Sequence, residues 1–227
     1  INMMYIEAMD TVVRLSEVIG DMETERFFRA KSKKMKKSVK AALWNEEKGA
    51  YCDCAVAGEQ SESVSEAVNA MAILVLYNKD DKHVSRIVQN VFDAKTRMKE
   101  VCRVSPYFML PFYRAMNKAE RNDIALAETE ARYGKMVEHG ATTTWEHWEL
   151  TEQNENGTFH HSACHAWAAA PIVFAAENLL GIDGAVKKGA AKPEPHAAGN
   201  IEAKFITPRG VFDMKIEDGK VKRNTLL

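Results

Sequence analysis

The sequence has little cysteine and no cysteines at metal-finger spacing: Cys52, Cys54, Cys102 and Cys164 include no C-x-x-C unit. That spacing excludes a structural zinc finger and a disulfide scaffold, and four free thiols suit a reducing compartment. Excess charge of one sign is also missing, since 31 Lys plus Arg stand against 32 Asp plus Glu for a net charge of -1. No global field draws in a polyanion, so nucleic acid is not an expected partner. No apolar run approaches the ~18 residues that span a bilayer, and no basic segment with an apolar stretch behind it opens the chain. A cytoplasmic protein without a membrane partner is the resulting expectation. Glycine-rich phosphate-binding turns are lacking as well, which weighs against nucleotide chemistry, and no cofactor is expected.

What the chain does have is helical periodicity. The spacing predicts a helix over residues 3–19, closed by Gly20-Asp21, and a second over 23–43 carrying Phe27, Phe28, Met35, Val39 and Leu43. A third, with cap candidates at Ser61-Glu62-Ser63, runs to Tyr77 and is apolar nearly all round, so it should be buried. Asp80-Asp81 caps a short helix with Val84, Ile87, Val91 and Phe92, and Pro106 opens the next. Residues 121–137, with Ile124, Ala127, Ala131 and Met136, form another that ends at His139-Gly140. After a polar loop from Glu149 to Phe159, Ala163 to Leu180 reads as a small-residue helix stopped by Gly181. From Asp183 to Gly199 the composition shifts to Gly, Ala, Lys and Pro, and two alternating segments then flank an Asp218-Gly219 hairpin signal. The fold class predicted is mainly α, about seven helices followed by two or three strands. The domain division expected is 1–182 for the helices and 183–227 for linker and β segment.

The lysines at 31, 33, 34, 36, 37 and 40 interleave with Met35 and Val39, which reads as a solvated helix face rather than a nucleic-acid site. The richest chemistry lies in residues 140–149, where Trp145 and Trp148 flank Glu146 and His147 in an irregular Gly- and Thr-rich approach. A carboxylate between aromatic rings suits carbohydrate chemistry: rings stack on the C–H faces of a pyranose while the carboxylate orients water or donates a proton. Residue types alone leave an equal alternative, two core tryptophans and a turn-capping glutamate. Next come His160, His161, Cys164 and His165. His161 and His165 stand four apart, but no glutamate of an H-E-x-x-H motif lies between them, so a hydrogen bond to a sugar hydroxyl or to the nearby carboxylate is favoured over a metal. A satisfied, half-buried histidine is the other reading.

Tyr133 through Trp148, followed by Ser162 through Trp167 and a closing Leu179-Leu180-Gly181, resembles the bacterial α-L-rhamnosidases, with their Trp-Glu-x-Trp core and Ser-x-x-His-x-Trp helix start. Residues 65–74 resemble that family's Ser-Gln-x-x-Asn-x-x-Ala helix, residues 44–51 its Trp-Asp-x-x-x-Gly-x-Tyr turn, and Ser105 to Phe108 a helix start facing the cleft. The likeness extends over residues 3–216. It implies an (α/α)6 barrel of helical hairpins with a β-sandwich after the last helix. The helices present would be the later ones of that barrel, a partial toroid, with the first strands of the C-terminal sheet.

The resemblance further implies inverting hydrolysis, with two carboxyl groups ~6.5–9.5 Å apart on opposite faces of the sugar. Glu146 matches the general base, His165 a histidine that contacts the sugar and Trp145 a cleft aromatic; Tyr107 occupies a cleft-facing position, and Trp148 and His147 complete the substrate-binding set. No segment matches the general acid, so the isolated chain is expected to be inactive. Three departures, His147, Ala163-Cys164 and Glu66 in place of Gln, bear on substrate identity more than on reaction type. The competing expectation is a non-catalytic carbohydrate-binding or structural helical module. Helix faces left unburied by an incomplete barrel would favour a homodimer.

Overall fold

A computed structural model describes residues 1–149, 161–182, 199–207 and 210–226. They fall into two units, Ile1–Val104 with Lys118–Glu120, and Ser105–Asn117 with Arg121–Leu227. The polar loop expected after Glu149, His160, and the linker expected from Asp183 up to Gly199 lie outside the described residues.

In the first unit, helix α1 (Asn2–Ile19) buries Met3, Ile6, Met9, Val13 and Ser16, one stripe at three- and four-residue spacing. Gly20 ends it in the left-handed region at φ 80°, where a side chain would be strained. Asp21 then caps helix α2 (Met22–Leu43), its carboxylate accepting the Thr24 N–H at 3.1 Å. The predicted apolar stripe of α2 is only partly buried: Phe27 is 59% exposed, and the buried residues are Glu25, Ser32 and Val39. Polar ties to α1 take over part of the work. Ser32 and Lys36 both donate to Asp10, at 2.5 and 2.7 Å, and Arg29 bridges Glu17 at 2.6 Å as well as Glu25. Three lysines of the run meet their own neighbours: Lys36 at Asp10, Lys31 at 5.6 and 5.7 Å from the Tyr5 and Phe27 ring centres, and Lys40 at 4.2 Å from that of Tyr77, while Lys33, Lys34 and Lys37 are exposed.

Three two-residue ladders follow that periodicity does not foretell, because two residues carry no alternation. Strand β1 (Trp44–Asn45) pairs with β2 (Ala50–Tyr51), β3 (Ala55–Val56) with β4 (Glu59–Gln60), and β5 (Val64–Ser65) runs parallel to a later strand, Val101–Cys102. Helix α3 (Glu66–Leu76) begins later than the Ser61 to Ser63 cap predicted. Its cap is Ser65, whose hydroxyl accepts the Val68 N–H at 3.2 Å and donates to Asp53 at 2.6 Å; the same carboxylate takes Ser63. As predicted, α3 is deeply buried, with Ala70, Met71, Ala72 and Ile73 at 4% exposure or less. Buried Asn69 imitates a neighbouring strand, accepting the Tyr51 N–H at 2.9 Å and donating to the Tyr51 and Ser65 carbonyls at 3.0 and 2.9 Å. Helix α4 (Lys82–Ile87) is capped by Asp81 and continues as a π-turn to Phe92. Strand β6 (Val101–Cys102) then leads to Arg103 and Val104, both tied to buried Glu66 at 2.6 and 2.9 Å. All four cysteines are free thiols.

In the second unit, a 3-10 turn at Pro106–Phe108 feeds helix α5 (Met109–Lys118), which buries Met109, Phe112, Tyr113, Ala115 and Met116. Helix α6 (Asn122–Glu138) buries Ile124, Ala125, Glu128, Arg132, Tyr133 and Met136, whereas Ala127 and Ala131 are exposed. The buried stripe is offset from the predicted one because a charge pair, Arg132 donating to Glu128 at 2.8 Å, occupies inward positions that apolar counting skips. The helix expected from Ala163 starts later. A 3-10 turn spans Ala166–Ala168, helix α7 covers Ala170–Phe174, and a π-turn ends at Leu179 before Gly181 at φ 64°. Residues 162–165 pair with another loop instead of coiling.

Strands β7 (Ile201–Thr207), β8 (Gly210–Glu217) and β9 (Lys220–Leu226) form an antiparallel sheet in that order. Asp218 and Gly219 both take positive φ, 50° and 69°, as the hairpin signal required. Met214 and Ile216 pack with Leu180 and Ile182, joining the sheet to the end of the last helical segment. The fold class is the predicted one, mainly α with a short C-terminal β segment. No described helix is long and apolar enough to cross a membrane.

Candidate active site

The site grows from the end of α6. The Gly140 N–H donates to Val137 and the Ala141 N–H to Met136, both at 2.9 Å, with Gly140 at φ 75°. These paired bonds close the helix with a left-handed glycine and turn the chain into residues 141–149.

That segment is held to residues 162–165 by hydrogen bonds along its length. The His165 N–H donates to the Thr144 carbonyl at 2.9 Å, the Thr144 hydroxyl to the His165 carbonyl at 3.0 Å, and the Thr143 hydroxyl to the Ala163 carbonyl. At the far end the Glu146 N–H donates to the Ser162 carbonyl, and the Ser162 N–H returns a bond to Glu146 Oε2, both at 2.9 Å. The Ser162 hydroxyl bonds its own segment through the Cys164 carbonyl at 2.8 Å. The Thr run and Ser162 thus supply donors that an ordinary helix start would not need.

The two tryptophans anchor this loop. Trp145 is 5% exposed, with its ring edge-on to His139. Trp148, half-buried, stands edge-on to Tyr133 at 5.1 Å and beneath the Arg132 guanidinium at 5.6 Å. Arg132 also lies over Phe112 at 5.4 Å and pairs with Glu128, so a buried charge pair and two rings fix the indole. Tyr133 completes the frame by donating to the Ala168 carbonyl at 2.8 Å.

Glu146 is half-buried and its carboxyl is held below the usual carboxylate range, first by the Ser162 N–H, then by His165, His161 and His147, with burial opposing. It is therefore ionised at neutral pH and suited to accept a proton rather than to supply one. His147 is exposed and its ring stacks on His161 at 3.9 Å and 22°. Among the described residues no group of three His, Cys, Asp or Glu side chains is placed to hold a metal ion.

His165 is half-buried, and its Nδ1 is a buried atom with no hydrogen-bond partner. Its ring lies 6.5 Å from Tyr107 and 5.9 Å from Trp167, and those two rings are 6.3 Å apart. Tyr107 is 53% and Trp167 72% exposed. The structure so brings Glu146, His147 and His165 to one loop pair, adds Tyr107 through His165, and uses Trp145 and Trp148 as anchors. Trp167, which closes the Ser-x-x-His-x-Trp run, is not among the candidate site residues named from sequence.

Comparison with known proteins identifies the fold. The profile of the bacterial alpha-L-rhamnosidase 6 hairpin glycosidase domain matches residues 1–179. The GH78 family rhamnosidase of Bacillus sp. GL1 superposes with a TM-score of 0.76 at 26% identity, over 94% of this chain and 23% of that one. Two others share the fold. A rhamnosidase from Klebsiella oxytoca with rhamnose bound gives 0.60 at 23% identity, over 77% of this chain and 33% of that one. The alpha-L-rhamnosidase of Dictyoglumus thermophilum gives 0.64 at 15% identity, over 94% and 23%. The chain therefore spans between 23% and 33% of the length of these proteins. No curated protein sequence matches significantly. With the family profile running from α1 into the last helical turn, the chain belongs to the bacterial α-L-rhamnosidase six-hairpin glycosidase domain family.

Proposed function

We propose that the protein bearing this chain is an inverting glycoside hydrolase acting on terminal α-L-rhamnosides, with Glu146 as general base. The observation that carries this reading is the Glu146 carboxylate itself, bound by the Ser162 N–H at 2.9 Å and kept ionised by that bond and three histidines. Family membership and the rhamnosidase relatives, one of them with rhamnose bound, make the L-rhamnosyl group the sugar to test first.

In the proposed reaction Glu146 takes a proton from water as the water oxygen bonds to the anomeric carbon, on the face opposite the departing oxygen. The anomeric C–O bond breaks with its electron pair on that oxygen, which a carboxylic acid across the sugar protonates. His165 contacts the sugar, while Tyr107, Trp145, Trp148 and His147 shape the site. No residue of this chain is assigned as the acid, so residues 1–182 serve as part of the catalytic domain and 183–227 as the start of a β-domain. The isolated chain does not hydrolyse rhamnosides on this reading.

Inversion is tested by NMR during the first turnovers of the intact protein on an aryl α-L-rhamnoside. The expected first product is β-L-rhamnose; α-L-rhamnose would contradict inversion. Sugar binding by an intact protein that hydrolyses no rhamnoside would instead favour the non-catalytic module.

A further inference from the structure

The ladder between residues 141–149 and 161–165 ends in a contact that is neither a hydrogen bond nor core packing. Thr144 pairs with His165, Glu146 with Ser162, and at the outer end the His147 and His161 rings lie face to face, centres 3.9 Å apart at 22°. His147 is exposed and His161 half-buried, so both rings can exchange protons with solvent. Neutral imidazoles stack favourably at that distance, whereas two imidazolium rings repel. The carboxylate of Glu146, one residue from His147, is the charge that acts on both of them, and on His165. From α6, Arg132 reaches the neighbouring Trp148 but is paired with Glu128. Glu146 is thus the counter-ion of the stack, and the Ser162 N–H that it accepts belongs to the residue after His161.

We propose that the His147–His161 stack is an acid-released clasp on the loop that carries the base. While Glu146 is ionised, its negative charge offsets protons taken up by the two rings. Once acid neutralises that carboxyl, two cations face each other at the stacking distance without a counter-ion, the rings part, and the Ser162 N–H leaves Glu146. Losing that donor makes the carboxyl easier to protonate, so opening and neutralisation drive each other. The clasp switches the base off over a narrow pH range and restores it on neutralisation. It rests on the glycosidase reading for its effect on turnover, not for the movement itself.

Two measurements on the intact protein test it: the acid limb of kcat/KM on an aryl α-L-rhamnoside, and hydrogen exchange at residues 161–165, followed by mass spectrometry as protection factors. In wild type the limb should steepen towards a slope of about two in log kcat/KM against pH, and protection of the Ser162 and His165 amides should fall about tenfold across the same range. His161→Phe keeps a flat ring but takes no proton, so its limb should have a slope of about one and its protection should persist into acid. His147→Phe should keep the protection likewise. A wild-type limb of unit slope, or loss of protection at the same pH in wild type and both Phe variants, overturns the clasp. A protein that hydrolyses no rhamnoside, yet loses protection in acid unless His161 is replaced by Phe, keeps the clasp and contradicts the glycosidase reading instead.

Discussion

Glu146 and Ser162 clasp one another: each donates its backbone N–H to the other, one to a carbonyl and one to a carboxylate oxygen, both at 2.9 Å. The carboxylate is thereby tied to the same segment that carries His165, three residues further on. That bond fixes the carboxylate's orientation and is the largest of the contributions that lower its pKa.

The pH dependence follows from that bond. With Glu146 as the proposed general base, its depressed pKa is expected to put the acid limb of kcat/KM below the range of an ordinary glutamate, the Ser162 N–H being the largest cause and His165 the next that lowers it. Replacing His165 by Gln removes the next contribution after Ser162 that lowers the Glu146 carboxyl, lets its pKa rise, and is expected to move the limb to higher pH. His161→Gln and His147→Gln shift it the same way by less. The same depression makes the stabilisation by ionised Glu146 present above its unfolded-state pKa and lost as pH falls through the folded value. Melting curves of wild type and Glu146→Gln should therefore converge in acid.

Arg132 acts on the loop through Trp148. Arg132→Met breaks its bond to buried Glu128 and removes the cation from the indole, so unfolding free energy should fall by about 3–5 kcal/mol, as for breaking a buried pair. The double variant Glu128→Leu with Arg132→Met should recover part of that loss. Denaturant melts of the four proteins in the cycle measure it.

Asn69 secures the turn before α3. Asn69→Leu leaves the Tyr51 N–H and C=O without the partners they have at 2.9 and 3.0 Å, at a cost of about 1–3 kcal/mol for each group. Asn69→Asp buries a carboxylate against the Tyr51 and Ser65 carbonyls, so near neutral pH it should destabilise at least as much as Leu in a thermal melt.

The helices were legible because their signals are local. Gly20, Asp21, Asp81, Gly140 and Gly181 mark ends that structure and sequence share, and Asp218-Gly219 marks the hairpin. What sequence could not show depends on partners far along the chain. Residues 163–165 look helical by composition, yet their backbone is claimed by Thr143 and Thr144 some twenty residues earlier. The stripe of α6 was misplaced at Ala127 and Ala131 because Glu128 and Arg132 satisfy each other and so lie inward. Ser65 rather than Ser61 or Ser63 is the cap because β5 carries the chain in extended form up to Ser65, paired with Val101–Cys102. At the site, the Trp-Glu-His-Trp run was visible as chemistry; that its indoles anchor while Trp167 stays exposed was not, since burial is a property of the packed molecule.

The most direct measurement is the turnover of the intact protein on an aryl α-L-rhamnoside before and after Glu146→Gln. Gln keeps an oxygen for the Ser162 N–H and loses only the basic charge, so kcat should drop by roughly 10²–10⁴ with the folded state preserved by circular dichroism. Near-normal turnover in that variant would show that water is activated elsewhere.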